Sequence, residues 1–363
     1  MRRQRTPLRR EAAVLVHADA TKESYMITVD KKYVAAFQKK AAEERRLFTV
    51  MFELNWRCNL DCVFCYLPQE QRAIGKNQNP EMSTDQVFKI LDQLEAEGVY
   101  EVAFTGGEIF LRKDIFPIIA YAEKKGFDIT LLTSASLINE TEVERLKSFR
   151  IRRIEISFHA MSKKIFEQIT QRPGSFHKVK RAVELLVAAK IPIKLKSLLT
   201  TLNKEEIVKV NEWARSLGVL HTIDDDIELR NDGDAWPRTL AVSEEEAEEI
   251  KKIVRRETYL PFDRHGNPRG DRDPEEIERR KHRRFHCGIG RCHAWIDPSG
   301  KLKPCQKVME WNYDLLQGSL KTGWWKLKEM LDNLPTGQVQ TPIKCEALDR
   351  IICRTGKEMS YEC

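Results

Sequence analysis

Residues 52–66 read FELNWRCNLDCVFCY, an apolar run that ends in a loop carrying Cys58, Cys62 and Cys65 at C-x3-C-x2-C spacing. Three thiolates in one short loop make a metal centre the first expectation. Structural zinc prefers paired C-x2-C knuckles with a second pair downstream, whereas a cubane iron–sulfur cluster is satisfied by irregularly spaced thiolates. Three local ligands for four irons leave one iron open. A zinc site with a distant fourth ligand and a chance group of core thiols are the competing readings.

Outward from this loop the chain alternates. Strand-like segments fall at Phe48–Leu54, Glu101–Thr105, Asp128–Thr133, Arg153–Phe158, Ile193–Leu199 and His221–Leu229. Helical patterns lie between them, at Thr84–Glu97, Lys113–Lys125, Asn139–Lys147, Ser175–Ala189 and Lys204–Leu217. Six strand-then-helix steps predict a parallel sheet with right-handed crossovers, on which active sites sit at the carboxyl ends of the strands. The cysteine loop follows the first strand, where chemistry belongs. The second strand ends in Thr105-Gly106-Gly107-Glu108. Its glycines allow close backbone approach to a ligand, and the glutamate can accept from an ammonium group.

The cysteine loop, with Phe64 before its last cysteine, resembles that of the radical S-adenosylmethionine (radical SAM) family. The resemblance implies an α/β fold: a partial (β/α)6 TIM-type barrel followed by a small cysteine-rich auxiliary-cluster domain. It implies that Cys58, Cys62 and Cys65 hold a 4Fe–4S cluster whose open iron is chelated by the amino and carboxylate groups of SAM. Gly106, Gly107 and Glu108 match the turn that holds the methionine amino group. Ser157, at the end of the fourth strand, stands where relatives place a serine near the SAM carboxylate or ribose. Arg172, in ITQRPGSF, resembles an arginine that pairs with that carboxylate. The usual Thr-Asn at the third strand is Thr133-Ser134 here, which leaves Ser134 a polar contact.

Other polar groups at strand ends have weaker claims. His159 is a candidate proton donor, although a lone histidine is more often structural. Of Asp224, Asp225 and Asp226, at most two can face the barrel mouth together, because side chains on a strand alternate.

Composition bounds the rest. With 363 residues the chain exceeds one average domain, and 41% hydrophobic residues suffice for a core. No apolar run approaches the roughly 20 residues that span a bilayer, and the start shows no signal core, so the expected location is cytoplasmic with no membrane partner. Nine cysteines without an export signal favour metal ligation over disulfides. The net charge of +7 is small beside 62 basic and 55 acidic side chains. The basic clusters Arg2–Arg10 and Arg279–Arg284 therefore read as a tail and a solvated helix face rather than a nucleic-acid site.

The expected divisions are an N-terminal tail with a possible hairpin at Tyr25–Val34 and a helix at Ala35–Arg45 (1–47), the barrel (48–230), a linker with a helix capped by Ser243 (231–286), and the cysteine-rich segment (287–363). That segment holds Cys287, Cys292, Cys305, Cys345, Cys353 and Cys363. A hairpin turning at Asp297-Pro298-Ser299-Gly300 brings Cys305 back toward Cys287 and Cys292. Cys287, Gly300 and Cys305 resemble the opening half of a SPASM domain, the auxiliary-cluster module of a radical SAM subfamily, whereas the later CEALDRIICRTGKEMSYEC follows the pattern only in part. Six thiolates cannot fully ligate two cubanes. At least one auxiliary 4Fe–4S cluster is implied, with zinc the alternative for these thiols.

The implied activity is reductive cleavage of SAM to a 5′-deoxyadenosyl radical that takes a hydrogen atom from a substrate. An auxiliary cluster could then accept an electron, allowing a net oxidation. Relatives of this type point to a ribosomally made peptide as substrate, matured by a crosslink or thioether. Implied partners are an electron donor such as flavodoxin or ferredoxin and a separate leader-binding protein, since 47 residues are too few for a recognition domain. Tetrapyrrole, cofactor or RNA modification and a non-catalytic electron carrier are the alternatives.

Overall fold

Strand β1 (Thr49–Glu53) alternates the fully buried Val50 and Phe52 with Thr49, Met51 and Glu53, the two-residue period of a strand whose faces meet different surroundings. Fully buried apolar residues recur at that period in β2 (Glu101–Thr105; Val102, Phe104), β3 (Asp128–Thr133; Ile129, Leu131) and β4 (Arg153–Ser157; Ile154, Ile156), and β5 (Ile193–Leu198) and β6 (Leu220–Asp224) follow. The computed structural model describes residues 31–74, 81–257, 290–306, 308 and 311–333.

Each neighbouring pair from β1 to β6 is parallel, with Phe52 opposite Phe104, Leu131 opposite Ile154 and Ile156 opposite Leu195. One face of the sheet carries Val50, Phe52, Val102, Phe104, Ile129, Leu131, Ile154, Ile156 and Leu195, none of them exposed, in one core with the crossover helices. Those helices are α3 (Thr84–Ala96), α4 (Ile115–Lys124), α5 (Glu140–Leu146), α6 (Lys163–Thr170), α7 (Ser175–Ala188) and α8 (Ile207–Ser216), preceded by α1 (Lys31–Glu43) and the short α2 (Gln69–Arg72). Reciprocal capping boxes start α3 (Ser83 with Gln86) and α5 (Asn139 with Glu142). The other face is polar: Thr49, Glu53, Glu101, Thr130, Glu155 and Lys194.

The sheet does not stop at β1. Strand β7 (His293–Ile296) pairs with β1 in parallel, Thr49 opposite His293, and β8 (Lys301–Lys303) and β9 (Tyr313–Asp314) extend it antiparallel. The order is β6-β5-β4-β3-β2-β1-β7-β8-β9, open between its two edge strands, which is a partial barrel with one parallel strand beyond the expected six. The hairpin turning at 297–300, read from sequence as part of a separate cysteine-rich unit, thus continues the barrel sheet. Helix α10 (Leu320–Asn333) packs Leu320, Trp324, Leu327 and Leu331 into the same core.

Three local expectations change. Of the hairpin expected at Tyr25–Val34, residues 31–34 lie in α1 and the remainder outside the described residues. Strand β6 ends at Asp224 rather than Leu229, because the Asp226 N–H turns back to Asp224 Oδ1 (3.2 Å), a local bond that competes with the ladder. Helix α6 occupies a stretch to which the sequence reading assigned no element. Ser243 caps α9 (Glu244–Glu257) as expected, receiving the Glu246 N–H at 3.2 Å. Among the described residues no helix is long and apolar enough to cross a membrane.

Candidate active site

The segment leaving β1 stays paired with the segment leaving β2. Gly107 N–H donates to Asn55 O (2.9 Å), Glu108 N–H to Arg57 O (2.8 Å), and the buried Asn55 Nδ2 to Glu108 O (2.9 Å). The glycines make this approach feasible. A Cβ on Gly106, whose φ is +141°, would lie 2.3 Å from Asn55 O, and one on Gly107 would lie 2.2 Å from Arg57 O. Sequence reading had these glycines clearing room for a ligand; in the fold they first clear room for the base of the cysteine loop.

Beyond Arg57 the loop is held from several sides. Cys58 N–H donates to Arg72 O (3.0 Å) at the end of α2. Asp61 and Val63 donate to Thr170 O and Ile169 O at the end of α6, both at 3.0 Å. Cys65 N–H closes on Cys62 O (3.0 Å), and Asn231 N–H reaches Tyr66 O (2.8 Å). Arg172 donates from Nε to Asn59 O (3.0 Å). Together with Asn59, Leu60, Ser136 and Lys178 it lines a cleft of about 300 Å³ beside the loop.

Burial raises all three thiols, Cys58 to about 12 with the Glu108 charge adding to it, and Cys62 further through the neighbouring Cys58 and Cys65. A metal must displace these protons to bind, and its own charge removes the penalty that burial imposes. Among the described residues no three His, Cys, Asp or Glu side chains converge on a point where one metal ion could sit.

Glu108 is fully buried, and its carboxylate accepts from Thr133 Oγ1 (2.6 Å), Ser134 Oγ (2.5 Å), Ser134 N (2.9 Å) and Phe110 N (3.1 Å). Ser134 Oγ lies 2.9 Å from Ser136 Oγ, which accepts from Asn59 Nδ2 at 2.9 Å. One polar chain therefore links the ends of β2 and β3 to the cysteine loop, with Ser134 inside it. Ser136 escaped sequence reading; its two-residue spacing from Ser134 was the available signal. Ser157 is exposed at the carboxyl end of β4, opposite Lys196 of β5. Below it Glu155 is buried, which alone would raise it, yet Lys196, Lys194 and Arg153 bring it down to about 2.

His159 does not suit proton donation. It is buried, its Nδ1 accepts the Leu198 N–H (3.3 Å), its ring meets Phe64 edge-on at 4.9 Å, and burial holds it neutral down to about 4. Asp225 is paired with Lys251 of α9 at 2.7 Å, which leaves Asp224 and Asp226 exposed.

Glu53 is a feature that sequence reading missed. It ends β1 with 5% exposure, and the Tyr66 hydroxyl, next to Cys65, donates to it. Burial pushes it up to about 7; Asp297 adds to the rise, while Tyr66, Trp295 and Lys303 oppose it. The folded state thus holds a proton that the unfolded chain releases near 4.5, so this contribution to stability is complete below about 4.5 and lost as pH rises through about 7. Denaturant titrations should show Glu53→Gln flattening that fall, on the order of 3 kcal/mol at most.

The described auxiliary candidates lie at the opposite end of the barrel. Cys292 O accepts from Phe48 N and Thr49 N at the amino end of β1, and its side chain is buried with Ala41 and Phe48. Cys305, two residues beyond β8, comes back to that same end because β8 runs antiparallel to β7. Cys287, Cys345, Cys353 and Cys363 lie outside the described residues.

The family description that matches residues 56–217 is the Radical SAM superfamily. Among curated proteins, the chain is 28% identical to the AdoMet-dependent heme synthase of Methanosarcina barkeri over 47% of this chain and 48% of that one. It is 30% identical to the PqqA peptide cyclase of Granulibacter bethesdensis over 48% and 45%. It is 27% identical to the subtilosin biosynthesis protein AlbA of Bacillus subtilis over 70% and 54%. The chain thus spans about half the length of these relatives. Among solved structures, SuiB of Streptococcus suis bound to its precursor peptide SuiA superposes with a TM-score of 0.63 at 17% identity, covering 91% of this chain and 77% of that one. Native anSMEcpe with bound AdoMet gives 0.55 at 15%, covering 78% and 82%. These likenesses show the fold.

Proposed function

We propose that this chain, whose residues 56–217 match the Radical SAM superfamily, is an enzyme that cleaves SAM and uses the product to oxidise a ribosomally made peptide. The observation that carries this reading is the joint between the two strand ends, which sets a three-cysteine loop directly over Gly106-Gly107-Glu108 at the carboxyl side of the sheet.

Cys58, Cys62 and Cys65 would hold the cluster. When bound, it supplies the one electron that splits SAM into methionine and a 5′-deoxyadenosyl radical able to take a hydrogen atom from carbon. The chain's part is to place the reactants and keep water out. Gly106, Gly107 and Glu108 would receive the methionine amino group, with Ser134 steadying the Glu108 carboxylate. Ser157 and Arg172 would face the SAM carboxylate and ribose. The polar inner face, running from Glu53 to Lys194, would receive the substrate.

The peptide substrate is supported by the likeness to the PqqA peptide cyclase and to AlbA. Among the described residues the sheet does not close between β6 and β9, which suits an extended chain better than a closed barrel would. The reading includes at least one auxiliary 4Fe–4S cluster, with Cys292 and Cys305 among its donors and the remaining cysteines completing it. It also includes a flavodoxin- or ferredoxin-type electron donor and a separate leader-binding protein. The heme synthase likeness favours a second reading, modification of a tetrapyrrole.

Anaerobically reconstituted protein, given SAM, dithionite and a panel of ribosomal precursor peptides, should yield a peptide lighter by two hydrogen atoms per new bond in mass spectrometry. Unchanged peptides beside an altered tetrapyrrole would overturn the peptide reading in favour of the second.

A further inference from the structure

Arg72 closes α2, seven residues after Cys65, and is almost wholly buried at 4% exposure. Arginine is seldom buried without full pairing, because removing its charge from water is costly. Here the pairing is partial. Nη1 stands 2.6 Å from Asp61 Oδ1, while Nε is buried with no hydrogen-bond partner among the described residues. Asp61 is itself shared, since its Oδ2 accepts from Gln69 Nε2 at 2.8 Å, and its side chain is 31% exposed, where water screens it.

The backbone of Arg72 accepts the Cys58 N–H, so the residue is fixed to the cysteine loop. Asp61 lies on the cysteine loop between Cys58 and Cys62, so its contact with Nη1 holds the buried guanidinium against that loop.

From this placement we infer that Arg72 is a positioning residue that raises the reduction potential of the cluster held by Cys58, Cys62 and Cys65. The inference rests on the reading that these three cysteines hold a 4Fe–4S cluster. The physical cause is simple. Reduction adds one negative charge to a group already surrounded by thiolates, and a buried cation beside it stabilises the reduced form more than the oxidised form. Donors that reach the sulfurs act in the same direction. The electron comes from the external reductant, and no proton is needed.

The test is a redox titration with dithionite of the anaerobically reconstituted full chain, followed by the electron paramagnetic resonance signal of the reduced cluster. Arg72→Gln should make reduction about tenfold less favourable, a shift of about 59 mV to more negative potential for a one-electron couple. Arg72→Lys, which keeps the charge, should lie closer to wild type. Asp61→Asn removes the counter-charge and should shift the potential upward. A purely structural role for Arg72 would lower thermal stability and iron content without ordering the potentials in this way. Arg72→Gln protein with full iron and an unchanged potential would overturn the inference. Should that variant fail to load iron, an unchanged or lowered potential in Asp61→Asn would do the same. Wild-type protein that loads no cluster defeats the proposed function itself, and this inference with it.

Discussion

Changing Cys58, Cys62 and Cys65 together to Ala should abolish 5′-deoxyadenosine formation from SAM, to the background of a reaction without protein, while the barrel stays folded. The three sulfurs sit on a loop held by backbone bonds from Arg72, Thr170 and Ile169, none of which uses a cysteine side chain. Truncating each thiol removes one small group that is only partly buried, at a cost of about 1 kcal/mol. Circular dichroism should therefore show a native-like spectrum with a modestly lower melting temperature, while iron analysis shows the loss of the reconstituted cluster. Undiminished 5′-deoxyadenosine from the triple variant would remove the cysteine loop from the chemistry altogether.

Gly107→Ala should be strongly destabilising. The added methyl would sit 2.2 Å from Arg57 O and 2.4 Å from Trp56 O, both backbone atoms that no rotamer change can move aside. Relief requires the cysteine loop to lift off β2, which breaks the Glu108-to-Arg57 and Gly107-to-Asn55 bonds together. Overpacking of this kind costs about 1–3 kcal/mol, and each lost backbone bond about 1 kcal/mol more. The expected result is a melting temperature lower by many degrees and loss of SAM binding by calorimetry. Gly98→Ala is the matched control. Its φ of +74° strains an alanine, but nothing lies within 4 Å of the new carbon, so the cost should stay near 1 kcal/mol with SAM binding kept. Equal effects from the two substitutions would refute the steric account.

The strands nearest the centre of the sheet were legible because they carry a two-residue period with its apolar half fully buried, as Val50 and Phe52 or Ile154 and Ile156 show. The cysteine loop was legible because its chemistry is written in residue types and spacing. What escaped depends on partners far away in sequence. The pairing of β1 with β7 joins residues about 240 apart, and no local pattern records it. Helix α6 was missed because it ends on Gln171 in the left-handed region rather than on a glycine, which hid its stop signal. Glu53 looked like an ordinary strand-end acid, since neither its burial nor the Tyr66 hydroxyl against it can be read from FELNW. Glu108 was recognised, but three of its four internal donors come from another segment, Thr133 Oγ1 and the Ser134 N–H and hydroxyl.

The parallel pairing of β7 with β1 fixes a distance as well as a topology. Cys292 sits level with the start of β1 and the three-cysteine loop beyond its end, so the length of a five-residue strand lies between them, about 17 Å of packed protein. Any electron-carrying group that used Cys292 and Cys305 would thereby be separated from the reactants by the length of that strand. Such a group would exchange charge with the inner face by tunnelling rather than by ligating the substrate. The two ends of the molecule would then work as separate terminals, one where bonds are made and one where current enters or leaves.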